Sequence, residues 1–144
     1  MINDMPTLSD NTKLLIELSA LHSSILKRVE AQLSIHGISF TEFLVMHQLS
    51  AAAGKTLRRI DLAQSVGLSA SGVTRVLKPM EKIHLVEKES NPRDARVSLV
   101  KLSEPGEVVY RDAFTSVEQS AESLAKPLTK KQLSSFLELV AALK

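Results

Sequence analysis

The sequence predicts a mainly α-helical protein that carries one small β-hairpin. Three observations predict it. Apolar residues recur at helical spacing in stretch after stretch from about Thr12 to Leu143. Two of those stretches are short and meet at a tight turn containing Gly67, which is the helix-turn-helix pattern. After Ile83 the periodicity changes, and two strand-like runs flank Asn91-Pro92, a turn-initiating pair. The 144 residues are enough for one domain with a proper core.

Met1 to Asp10 reads as a loose leader. Leu14, Leu15, Leu18, Leu21, Ile25, Leu26, Val29 and Leu33 then form the stripe of a long first helix, which Gly37 ends in a left-handed conformation. Ser39 and Glu42 make a capping box, with Ile38 and Phe43 placed for a hydrophobic staple. The helix they open runs to about Ala53, with Phe40, Leu44, Val45 and Leu49 as core candidates, and Gly54-Lys55 breaks it. Thr56 is expected to cap a third, short helix through Val66, with Leu57, Ile60, Leu62 and Ala63 inward. Ser69 caps a fourth, whose apolar face is Val73, Val76, Leu77, Met80 and Ile83. Leu85 to Glu89 and Arg96 to Leu102 read as the two strands of a hairpin, with Ser90 to Asp94 as its turn. Ser103 caps a fifth helix, Pro105 is tolerated in its first turn, and Pro127 stops it. Its expected buried side is Val108, Val109, Phe114, Val117, Ala121 and Leu124. Thr129 caps the last helix, with Leu133, Phe136, Leu137, Val140 and Leu143 inward.

Composition removes several function classes. The chain has no cysteine, which excludes disulfides, thiolate zinc sites and thiol-based redox sensing. Aromatic residues are 3% and tryptophan is absent, against a stacking platform for single-stranded nucleic acid. The four histidines (22, 36, 47 and 84) lack partners at metal-ligand spacing, and His22 reads as a hydrogen-bonded interior residue. No Ser/His/Asp arrangement and no glycine-rich phosphate loop is present, so neither an enzyme nor a cofactor is expected. No apolar run reaches the roughly 20 residues of a membrane span, and the first ten residues lack a secretion-signal pattern; a cytoplasmic location is the expectation.

What remains is an electrostatic and a steric argument for DNA. Net charge is +2, but Lys55 to Lys101 holds ten Lys/Arg against five Asp/Glu. A basic middle between acidic ends suits a polyanion. The fourth helix puts Ser71, Gly72, Thr74, Arg75 and Lys78 opposite its apolar face, with no carboxylate before Glu81. Small donors and cations on a helix whose other side is packed suit the major groove.

Taken in order, these elements resemble the MarR family of winged helix-turn-helix transcription regulators. The resemblance covers about Thr12 to Lys144. Asp94-Ala95-Arg96 followed by Leu102-Ser103 looks like the family's wing signature. Leu62-Ala63, Val66-Gly67-Leu68-Ser69 and Val73-Thr74-Arg75-Val76-Leu77 match its helix-turn-helix pattern. Two residues depart from it. His84 stands where the family usually has glycine, so His84 is expected to take a left-handed backbone conformation. Pro79 lies inside the fourth helix and is expected to bend its C-terminal half, leaving the reading end intact.

The resemblance implies a division into residues 37–103 as the winged DNA-binding region and 1–36 with 104–144 as a helical dimerisation region. It implies that Ser69, Ser71, Thr74 and Arg75 face the major groove, with Arg75 as the principal base reader, and that Gly72 lets the backbone come close. Thr56, Arg58 and Lys78 would touch phosphates, Arg93 the wing-side backbone and Arg96 the minor groove, while Asp94 holds an arginine in place. A homodimer would form through Leu14, Leu15, Leu18, Phe136 and Val140. A small aromatic or phenolic effector would bind near His22, Leu26, Phe43 and Met46. The function so implied is a sequence-specific regulator of double-stranded DNA, a ligand-responsive repressor on a pseudo-palindromic operator. The competing reading is a winged-helix module for protein–protein contact whose arginines bind acidic partners.

Overall fold

The computed structural model describes residues 5–144; of the leader expected at the N-terminus, Met1 to Asp4 lie outside the described residues. Helix α1 (Asp10–Leu33) starts at Ser9, whose hydroxyl accepts the Thr12 N–H at 3.2 Å. A 3-10 turn (Ser34–His36) and Gly37, in the left-handed region, lead to α2 (Phe40–Ala51). The capping box is complete: Ser39 Oγ accepts from Glu42 N, and Glu42 Oε1 accepts from Ser39 N at 2.8 Å. Ile38 and Phe43 are both buried in the core, where the staple requires them. After a 3-10 turn (Ala53–Lys55) come β1 (Thr56–Arg58), α3 (Arg59–Ser65) and α4 (Ala70–Lys82). The hairpin is β2 (Val86–Asn91) and β3 (Asp94–Leu102), and the chain ends in α5 (Glu104–Ala125) and α6 (Lys130–Ala142).

Several expectations fail here. Thr56 does not cap a helix. It opens β1, which pairs antiparallel with β3, Thr56 opposite Lys101 and Arg58 opposite Leu99. The sheet therefore has three strands in the order β1-β3-β2. The strand partner lies more than forty residues away, beyond the reach of any local signal. Helix α3 then begins at Arg59, with its cap at Arg58, two residues later than expected, and its face turns: Leu62 and Ala63 are buried but Ile60 is 70% exposed. Pro79 leaves α4 unbroken, with Met80 beyond it fully buried. It sits in the last turns, where only the Arg75 carbonyl loses its helical donor. Ile83, expected inward, is exposed past the end of that helix.

The core lies where α2, α3, α4 and the sheet meet. Val45, Met46, Leu49, Leu62, Leu77, Met80, Val100 and Leu102 are all fully buried there, with Leu33 of α1. One serine ties three elements together. Ser103 Oγ accepts the Gly106 N–H that opens α5 and shares its proton between the carbonyls of His84 (2.5 Å) and Leu85 (2.9 Å). His84 takes φ +64, the left-handed turn expected of it. A Cβ on Gly106 would stand 2.1 Å from the Leu85 carbonyl oxygen, so only glycine lets α5 start this close to the hairpin.

The terminal helices differ from expectation. Val108, Phe114 and Leu124 of α5 are exposed, and the buried residues of that helix are Gly106, Ala113 and Ser116. In α6 no residue is buried. The apolar stripes are there, but this single chain does not cover them. No helix among the described residues is long and apolar enough to cross a membrane.

Candidate nucleic-acid interface

Helix α4 carries the candidate reading surface. Ser69 forms the N-cap, its Oγ accepting from Gly72 N at 3.0 Å and lying 3.2 Å from Ser71 Oγ. A Cβ on Gly72 would meet that cap oxygen at 3.1 Å, so the small residue here also keeps the cap closed. Val73, Leu77 and Met80 bury the opposite side of the helix. Ser71, Thr74, Arg75 and Lys78 are exposed, and among the described residues Arg75 and Lys78 make no ion pair. Their charges are thus offered to solvent from a helix that the core holds still. The first-turn N–H groups that the Ser69 cap leaves over, and the positive dipole end, add to the field at this N-terminus.

The other predicted phosphate contacts are less free. Thr56 is half-buried and gives its proton to the Gly54 carbonyl. Arg58 grips Asp61 through Nε (2.7 Å) and Nη2 (3.1 Å), and this hydrogen-bonded pairing holds the Asp61 carboxyl below its ordinary range. The next residue, Arg59, was not singled out by the sequence. It crosses from α3 to α4, donating from Nη2 to Thr74 Oγ1 at 2.9 Å, with Nη1 3.6 Å from Glu81 Oε1. Glu81 also lies 3.8 Å from Lys88 of β2, so one carboxylate links the reading helix to both its neighbours.

At the hairpin tip, Asn91 Oδ1 accepts the Arg93 N–H and Asp94 Oδ1 accepts the Arg96 N–H. Asp94 also receives the Arg96 guanidinium, at 3.1 and 3.4 Å. The guanidinium first, and the backbone N–H second, hold the Asp94 carboxyl below its usual range. The Arg96 side chain is 92% exposed, aimed by its acidic neighbour and otherwise free. Arg93 is exposed beside it.

The predicted effector residues do not assemble. Phe43 and Met46 are core, His22 is exposed on α1 rather than interior, and Leu26 is half-buried. A cavity of about 200 Å³ does lie between α1, α2 and α5, but other faces line it: Ile25, Val29, Phe40, Val117, Ala121 and Leu124, with Arg28 and Ser120 as its polar members. Helices α1 and α2 are the ones that carry the expected residues, but other faces of them line the cavity, and α5 supplies half of the lining. Ser120 Oγ is buried there without a hydrogen-bond partner among the described residues. Next to this cavity Phe40, Phe43, His47 and Tyr110 stack, and His47 Nδ1 lies 2.7 Å from the Tyr110 hydroxyl, whose pKa burial raises. The proposed dimer residues Leu14, Leu15 and Phe136 are exposed, and Leu18 and Val140 half-buried. Among the described residues no three His, Asp or Glu side chains gather as a metal site.

Comparison with known proteins gives this geometry a context. Residues 38–98 match the model of the MarR family. The chain is 24% identical over 128 residues to the HTH-type transcriptional regulator MhqR of Bacillus subtilis (strain 168), covering 89% of this chain and 87% of that protein. Its fold is similar to that of Sco3205, a MarR family transcriptional regulator from Streptomyces coelicolor solved in complex with DNA: TM-score 0.86, 19% identity, 96% of this chain and 89% of that one. It is also similar to NadR solved in complex with 4-hydroxyphenylacetate, with TM-score 0.80, 23% identity, and 96% and 97% of the two chains covered.

Proposed function

We propose that this chain, whose residues 38–98 match the MarR family model, is a DNA-binding transcription regulator of that kind: a ligand-responsive repressor that binds a pseudo-palindromic operator as a homodimer. The observation that carries the reading is the outer face of α4, where Arg75 and Lys78 stand exposed and without an ion pair among the described residues, beside the exposed Ser71, over a buried opposite face. Arg75 reads a guanine by its O6 and N7 together, and Lys78 and the α4 N-terminus meet phosphates. Arg96, aimed by Asp94, enters a narrow minor groove. The uncovered stripes of α1, α5 and α6 are closed by a second copy, which sets two α4 helices about one turn of duplex apart. The cavity between α1, α2 and α5 takes a single-ring aromatic or phenolic acid, with Arg28 for its carboxylate and the unpaired Ser120 hydroxyl for its phenol.

Salt dependence of binding to random duplex tests the core of this reading. Affinity should fall steeply with salt, the log–log slope being about −0.9 per phosphate neutralised. A flat response, with affinity confined to a protein partner, means that the winged module serves protein contact instead. Thermal shift with 4-hydroxyphenylacetate tests the effector, and stabilisation should be lost in Ser120→Val.

A further inference from the structure

We propose that Thr74 sets base specificity through its methyl group rather than its hydroxyl, and that the groove between α3 and α4 receives thymine methyl groups; this rests on the DNA-binding reading above. The hydroxyl is already committed. Thr74 Oγ1 gives its single proton to the Ala70 carbonyl at 3.0 Å and accepts from Arg59 Nη2 at 2.9 Å. It has no proton left for guanine O6 or N7, adenine N7 or thymine O4. Arg59 is itself held against Glu81, so this arrangement belongs to the α3–α4 contact and is not a loose rotamer. Besides one lone pair, which can only accept, Thr74 has its methyl to offer.

The surface beside that methyl is apolar. A groove of about 670 Å³ between α3 and α4 is walled by Ile60, Ala63, Leu68, Ala70 and Val73, and Ile60 stands largely exposed along it. It is continuous with the polar strip of Ser71 and Arg75, which are the next residues around the same helix. An aliphatic strip beside a hydrogen-bonding strip matches one feature of the major groove, the C5-methyl that only thymine presents. Ile60, unexplained by the core, then has a place at the groove's outer wall.

The test starts from a duplex selected out of a random pool by the wild-type protein. Each dT of that duplex is replaced singly by dU, which removes only the methyl. At one or two positions per half-site, binding should weaken about fourfold, the value of one buried methyl-sized group. Thr74→Val keeps the methyl and loses the hydroxyl, so it should still prefer dT to dU there. Thr74→Ser keeps the hydroxyl and loses the methyl, so it should bind the two alike. Circular dichroism checks that both variants fold, and the dU series with wild-type protein needs no variant at all. If dU is harmless throughout, or Thr74→Ser still discriminates while Thr74→Val does not, the proposal is overturned and regulation of DNA stands. If the wild-type protein selects no duplex, the regulator reading falls, and this proposal with it.

Discussion

The winged segment and the terminal helices are built from the same kind of apolar stripe, yet one is closed and the other open. In the winged segment, Leu49, Leu62, Leu77, Met80, Val100 and Leu102 are fully buried against one another. In α1 and α6, Leu15 is 70% and Phe136 43% exposed. Periodicity therefore says that a face is to be covered, and does not say by what. Exposed apolar residues recurring along a helix in this way suit an interaction surface. Helix α4 is stabilised inside its own chain, whereas α1 and α6 leave their apolar stripes uncovered.

Breaking the closed region should give the largest effect. Leu77→Ala empties a fully buried site under α4 and should cost about 2–5 kcal/mol of stability, read by denaturant unfolding. A loss under about 1 kcal/mol would mean that α4 is not anchored by its core face. Breaking the open region should spare the fold and remove the assembly. Phe136→Asp, on a helix without buried residues, should sediment as a monomer with native circular dichroism. Its affinity for a duplex with two half-sites should fall by about a hundredfold or more, because the second contact is no longer intramolecular. A Phe136→Asp protein that remains dimeric would place the interface elsewhere.

The same contrast explains what could be read from the residues alone. Caps are local, and Ser39, Ser69, Ser103 and Thr129 all accept the N–H expected of them. His84 takes its left-handed turn for an equally local reason, the geometry after a helix end. Strand β1 was not legible, because Thr56 pairs with Lys101 and nothing near Thr56 signals that partner. Arg58 and Arg59 were indistinguishable for a similar reason. The (i, i+3) spacing to Asp61 could have marked Arg58 as paired, whereas the bond from Arg59 to Thr74 spans fifteen positions. At the cavity between α1, α2 and α5, the residues implied by the resemblance pointed to α1 and α2. The helical phase that puts Val29 and Val117 on the wall, and Phe43 in the core, was not legible.

Within the DNA face a smaller comparison can be sharpened, between the unpaired Arg75 and the paired Arg58. Arg75→Ala should cost about 1–3 kcal/mol on the selected duplex and relax preference at one base position. Binding to random duplex should change little. Arg58→Ala should have the weaker effect on affinity, since its guanidinium already has Asp61 as partner. Equal losses for the two on every sequence would reduce Arg75 to a phosphate contact.

The smallest effect belongs to the wing. Asp94 aims Arg96 but its side chain is 40% exposed, so its pairing is screened by solvent. Asp94→Asn should leave stability nearly unchanged and weaken binding about two- to threefold, most at A·T-rich flanks. The sign of the pH dependence follows from the depressed carboxyl. Its pKa in the fold lies below the ordinary value of 3.8, so the pairing is complete above that value and is lost only as pH falls through the lower, folded one. The wing contribution should therefore be flat from pH 5 to 8. Preference for A·T-rich flanks that instead changes between pH 5 and 8 in the wild-type protein, and not in Asp94→Asn, would show that the carboxyl titrates near neutrality and that Arg96 does not hold it.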